Sequence, residues 1–169
     1  MLKSILTSLR SADLRKKLLF TAFILAVYRF GSYVPTPGVD LDALQAAIDQ
    51  RGSRLLDFLN LFAGGALTRF AVFALGIMPY ITASIILQLM TVVIPSLERL
   101  QKEGESGQQK ITQYTRYFTV VLALLQSTAY VLYFRSQEAL PGFSPGRFYL
   151  IVLSVTTGTV LLMWLGELI

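Results

Sequence analysis

Hydrophobic and polar positions are separated into blocks along this chain rather than interleaved. Four apolar windows, residues 18–34, 70–94, 117–134 and 148–165, are long enough to cross a bilayer as helices, and charge collects between them. Lipid offers no hydrogen bonds, so helix is the expected form of each crossing. The first window ends at Pro35-Thr36-Pro37-Gly38 and the second at Pro95, while Pro141-Gly142 and Pro145-Gly146 separate the third from the fourth. Residues 1–17 place Leu2, Ile5, Leu6 and Leu9 at helical spacing among basic residues, which predicts an amphipathic helix lying on the membrane or docking a partner. The expected fold is an all-α polytopic membrane protein with four transmembrane helices, that amphipathic helix and a re-entrant segment.

The connections divide into residues 35–69, 95–116 and 135–147, with 166–169 following the last crossing. In the first, Asp40 is a candidate N-cap for a short helix over 40–48. Leu55, Leu56, Leu59 and Phe62 then follow helical spacing until Gly64-Gly65 interrupts it. An interfacial loop is one reading. The glycine pair favours a segment folded back into protein, because non-helical backbone at membrane depth needs protein or water around it. Residues 95–116 read as a solvated, mixed-charge hairpin around Gly104 and Gly107.

The second window is unlike an anchor. Gly76 and Pro79 form a candidate helix hinge, since proline removes a backbone donor and loosens the turn before it. Ile77, Ile81, Ile85 and Gln88 recur on one helical face, and Thr82, Ser84 and Gln88 put polar groups at hydrocarbon depth. Together they suggest an aqueous pathway or a helix seam, although a kinked span with a few hydroxyls is common. Arg29 is the one charge well inside the first window, about one and a half turns from Pro35, and either snorkels outward or has a buried partner.

Composition sharpens this. Of 169 residues 54% are hydrophobic and only 15% charged, against roughly 25% in soluble domains. Cysteine and histidine are both absent, which removes thiol nucleophiles, Cys/His zinc sites and histidine acid–base chemistry. No paired carboxylates or nucleophile–base pair lie at membrane depth, so neither an enzyme nor a cofactor is expected. The positions of Lys and Arg matter more than the net charge of +5. Lys16, Lys17, Arg99, Lys102, Lys110 and Arg116 share one side with both ends of the chain, and that richer side is expected to be cytoplasmic.

Several motifs in order resemble the SecY family, the pore subunits of the protein-conducting Sec translocon. They are Tyr28-Arg29-Phe30-Gly31 before Pro35-Thr36-Pro37-Gly38, then Asn60 to Leu67, Phe73 to Ile81, Lys102 to Gly107, Gln113 to Tyr117, and Met163-Trp164-Leu165-Gly166-Glu167. The resemblance implies a ten-helix channel of the cytoplasmic (inner) membrane, of which this chain would be a fragment, because Ile169 falls just after the fourth window. It implies a plug formed by Leu59, Asn60, Leu61, Phe62, Ala63, Gly64, Gly65, Ala66, Leu67, Thr68 and Arg69. It also implies a pore ring containing Ile77 and Ile81, and a lateral gate lined by Thr82, Ile85 and Gln88. Implied partners are SecE- and SecG-type small membrane subunits, the SecA motor or a ribosome, the translocating polypeptide with its signal sequence, and lipid. Gln108-Gln109 departs from the family, which often has basic residues there. A small-solute secondary transporter with a broken-helix site is the alternative, but it wants an ionisable residue facing a cavity. A plain anchor would not need Pro79, Gln88 or the glycine pair.

Overall fold

The computed structural model describes residues 12–42, 61, 63–136 and 144–168. Helix α1 spans Ala12–Gly31, α2 Met78–Val93, α3 Pro95–Lys102, α4 Glu105–Ser136 and α5 Pro145–Glu167. Among the described residues there is no strand, and the one isolated β-bridge joins Pro35 to Ala71. The expected helix over 1–17 is described only from residue 12, where it runs without a break into α1. At the start of the expected 40–48 helix, Asp40 Oδ1 accepts from the Asp42 amide at 3.1 Å, as an N-cap would; residues 43–48 lie outside the described residues.

Helices α4 and α5 are long and apolar enough to cross a membrane; the bent pair α2 and α3 makes a third candidate if counted as one span. The first window lies in α1 only as far as Gly31, and α1 also carries Arg15, Lys16, Lys17 and Arg29, so the count of four crossings stays an expectation of the sequence. With 32 residues, α4 is about 48 Å long, well beyond a hydrocarbon core of roughly 30 Å. Its first turns therefore belong to the charged hairpin, where Lys102 pairs with Glu98 and Lys110 with Glu103.

Between α2 and α3 the chain turns by 100° at Ile94, whose φ of −100° and ψ of 113° are extended. The cause is Pro95, whose ring disfavours helical backbone in the residue before it. Gly104, at φ +76°, then reverses the chain into α4. The two helices meet so closely that a Cβ on Gly107 would lie 1.6 Å from the Leu100 carbonyl oxygen.

On α4, Gly107, Ile111, Thr115, Thr119, Ala123, Ser127 and Val131 are buried at every fourth position. Small and hydroxylated residues let helices approach closely where lipid supplies no hydrophobic drive between them. The hydroxyls of Ser127 on α4 and Thr156 on α5 meet at 3.1 Å, and Arg116 joins Glu167 at 2.8 Å near the other end of the pair.

The core is not made of helices alone. Ala63, Ala66, Leu67, Phe70, Ala71, Phe73, Ala74 and Leu75 form one buried cluster with Ala123, Val131 and Phe134 of α4 and Ile151, Val152, Val155 and Leu162 of α5. Residues 63–77 are a series of turns, so the helix expected over 70–94 begins only at Met78. The turns bond locally: Phe70 N donates to Leu67 O at 3.1 Å, Ala74 N to Ala71 O at 2.9 Å and Gly76 N to Phe73 O at 2.8 Å. Two further bonds come from the chain after α1, with Thr36 N donating to Phe70 O at 2.9 Å and Val72 N to Val34 O at 3.0 Å.

Candidate functional site

Of the segment expected to be a plug, Leu61 and Ala63 to Arg69 are described; Leu59, Asn60 and Phe62 lie outside the described residues. Ala63, Ala66 and Leu67 are buried, whereas Leu61 and Arg69 are exposed. Gly64 and Gly65 have φ of +60° and +84°, where a side chain is strained. Gly64 is also confined, since a Cβ there would lie 3.1 Å from the Tyr28 hydroxyl. Thr68 Oγ1 closes the turn by donating to Gly65 O at 3.2 Å.

The end of α1 organises this segment. Tyr28 stacks on Phe73 with ring centroids 6.0 Å apart and an interplanar angle of 5°. Gly31 makes room for the same ring, because a Cβ there would come within 2.1 Å of it. Arg29 is exposed and has partners: Nη1 donates to Gly64 O at 3.1 Å and Nη2 to the Tyr33 hydroxyl at 2.8 Å. Its guanidinium lies 4.9 Å from the centre of the Tyr33 ring, and that of Arg69 lies 4.2 Å from the same centre. Arg29 therefore has partners, although both bonds are exposed and neither is the buried partner expected from the sequence.

Phe70 follows directly, and its φ of +43° is the only positive value at a non-glycine among the described residues. The ring is 2% exposed and packs edge-on against Phe134, centroids 5.1 Å apart. Backbone in this region is costly for a bulky residue and persists only where surrounding packing holds it.

Helix α2, taken with its N-cap residue Ile77, presents two different faces. Ile77, Ile81 and Ile85 are 46%, 36% and 52% exposed, and Gln88 is exposed too. Pro79, Ala83 and Thr91 are buried on the other face. Every position expected in the pore ring or the gate, apart from half-buried Thr82, therefore lies on the open face. Thr82 Oγ1 donates to Met78 O at 2.9 Å, and Gln88 Nε2 to Ser84 Oγ at 3.5 Å, so the polar groups of the span are bonded within their own helix. Toward α4, Tyr80, Ser84 and Gln88 face Gln108, Thr112 and Thr115 across a cavity of about 120 Å³.

The structure differs from the expected hinge at Gly76 and Pro79. Pro79 lies in the first turn of α2, where a missing N–H costs nothing, so it starts the helix rather than kinking it. Gly76, at φ +57°, ends the turns before that start. The sharp bend lies further on, at Ile94.

Two features escaped the sequence reading. The fourfold-spaced small residues of α4 do leave a sequence pattern at Thr115, Thr119, Ala123 and Ser127, running into a window whose length alone predicts a crossing. The link from Arg29 to Gly64 crosses 35 residues and leaves no local signal.

Comparison with known proteins adds an independent line. A family model described as SecY matches residues 71–169. Among curated relatives, the protein translocase subunit SecY of Streptomyces scabiei is 52% identical across 100% of this chain and 41% of its own length. That of Streptomyces griseus is 54% identical across 95% of the chain and 39% of its own, and that of Mycobacterium tuberculosis 46% across 100% and 41%. The chain thus spans about two-fifths of the length of these relatives.

Proposed function

The chain belongs to the SecY family, and from that membership we propose that it is part of the central channel subunit of the Sec protein translocase. In this reading the assembled channel conducts unfolded secretory proteins across the cytoplasmic membrane and releases membrane segments sideways into lipid. The N-terminus lies in the cytoplasm, and the channel works with SecE- and SecG-type subunits and with SecA or a ribosome. It carries out no chemical step of its own.

The open face of α2 is the observation that carries the proposal. Ile77 at the N-cap and Ile81 and Ile85 on the helix stand exposed at helical spacing, opposite buried Pro79 and Ala83. Ile77 and Ile81 supply part of a ring of β-branched side chains that seals around a passing chain without reading its sequence and limits ion leak by excluding water. Ile85 and Gln88, with Thr82 beside them, continue as one wall of the gate. The segment Leu59–Arg69 is the plug. A solute transporter is less well supported, because α2 carries no Asp, Glu, Lys, Arg or His from Met78 to Val93.

Site-specific crosslinking from Ile77, Ile81 and Ile85 in the full-length channel, during arrested export of a tagged preprotein, tests this reading. Ile77 and Ile81 are expected to form adducts with the moving chain, and Ile85 with its signal sequence. Adducts to lipid alone at all three positions would refute it.

A further inference from the structure

Arg29 and Tyr33 lie one helical turn apart in sequence, at the end of α1, and between them they touch both ends of the 64–69 segment. Arg29 reaches the Gly64 carbonyl at one end, and the Tyr33 ring carries the Arg69 guanidinium at the other. The bond from Arg29 Nη2 to the Tyr33 hydroxyl ties the two attachments together. We propose that Arg29 and Tyr33 form a two-point clasp that holds this segment in place, Arg29 being a positioning residue for the proposed plug. The inference rests on the plug reading above and deepens it by naming what must break for the segment to leave.

Three features make this a clasp rather than incidental contact. First, the acceptor at Gly64 is a backbone carbonyl, so no change of side chain within the segment removes it; only Arg29 can. Second, a guanidinium offers several donors in a fixed plane, and two of them are used on acceptors from different parts of the chain. Third, both guanidiniums sit on one aromatic ring with no carboxylate partner among the described residues, where the ion pairs are Lys102–Glu98, Lys110–Glu103 and Arg116–Glu167. Two like charges held together this way are restrained by polar and cation–π contacts that a moving chain can break one at a time. Apolar packing of Ala66 and Leu67 holds the middle of the segment, and the clasp governs its two ends.

The test uses the full-length channel with its partner subunits, reconstituted in a planar bilayer, with resting ion conductance as the readout. Losing a hydrogen bond from a charged donor shifts a two-state equilibrium by about tenfold or more. Arg29→Gln is therefore expected to raise the frequency of resting openings by about tenfold. Tyr33→Phe, which keeps the ring and removes only the hydroxyl, is expected to raise it by less. Arg29→Lys should fall between Arg29→Gln and the parent, since an ammonium can reach one of the two acceptors. Export of a preprotein with an intact signal sequence, measured alongside, reports folding and assembly; if Arg29→Gln fails to assemble, Tyr33→Phe decides alone. Deletion of residues 64–69 separates the two ideas. If the deletion raises resting conductance while Arg29→Gln and Tyr33→Phe leave it at the parental level, the clasp is wrong and the plug stands. If the deletion changes nothing, the plug reading fails and the clasp falls with it.

Discussion

Residues 63–77 and helix α2 are neighbours in the chain and similar in composition, yet they solve opposite problems. The first stretch abandons helix and buries Ala66, Phe70, Ala71 and Phe73 among α4 and α5. The second keeps helix and leaves Ile81 and Ile85 open, in line with Ile77 at its N-cap. Apolar character therefore fixed neither conformation nor burial. Backbone satisfaction is the difference. A helix bonds its own amides and can stand half-exposed in an apolar medium, whereas a chain of turns must borrow partners, as Phe70 and Val72 do from Thr36 and Val34. The borrowed partners place the first stretch inside the protein.

The largest test of that contrast is Phe70→Ala. Loss of a buried aromatic side chain is expected to cost about 3–5 kcal/mol, read as a lower denaturant midpoint of the full-length protein. Phe70→Gly should be no worse than Phe70→Ala despite the smaller residue, because glycine escapes the strain of a left-handed backbone that alanine inherits. A loss below 1 kcal/mol for both would mean that the segment is not the buried partner described here.

A middle-sized effect is expected at Gly158, where a Cβ would sit 2.1 Å from the Val72 carbonyl oxygen. Gly158→Ala forces α5 off the turn segment and should cost about 1–3 kcal/mol, seen as a fall in Tm in detergent. Since the clash is with backbone, Val72→Ala should not rescue it. Full rescue would show that side-chain packing alone sets the distance.

The smallest effect should come from the open face. In the 169-residue chain Ile85→Ala is expected to change unfolding free energy by no more than about 0.5 kcal/mol, as for other exposed positions. A cost of about 2 kcal/mol or more in that chain, on the scale of a buried aliphatic truncation, would show that the face is packed rather than open.

Much of the helical framework was legible. The windows 117–134 and 148–165 fall inside α4 and α5, because a long apolar run between charged ends has one good solution in lipid. The stop at Pro95 was legible for an equally local reason, the constraint proline places on the residue before it. Glycines 64 and 65 correctly marked a break, since only their backbone tolerates positive φ cheaply. The start of α2 was not legible. Residues 70–77 are as apolar as a span, and periodicity alone cannot tell a buried irregular run from a buried helix. For the same reason Pro79 read as an interior kink when it is a helix start. The candidate site divides in the same way: the face at Ile77, Ile81, Ile85 and Gln88 followed from spacing, but whether it is open or packed did not.

By itself, then, the amino-acid sequence determined the membrane character of the chain, the positions of α4 and α5, the turn at Pro95 and the break at the glycine pair. Each depends on interactions within a few residues or on the match between a run and the solvent around it. Only the tertiary structure decided that residues 63–77 leave the helix, that Phe70 adopts φ +43° against Phe134, and that Arg29 reaches Gly64. Those outcomes depend on which distant groups supply hydrogen bonds and space. The Pro35–Ala71 bridge and the bare backbone of Gly158 supply them here, from 36 and 87 positions either side of residue 71.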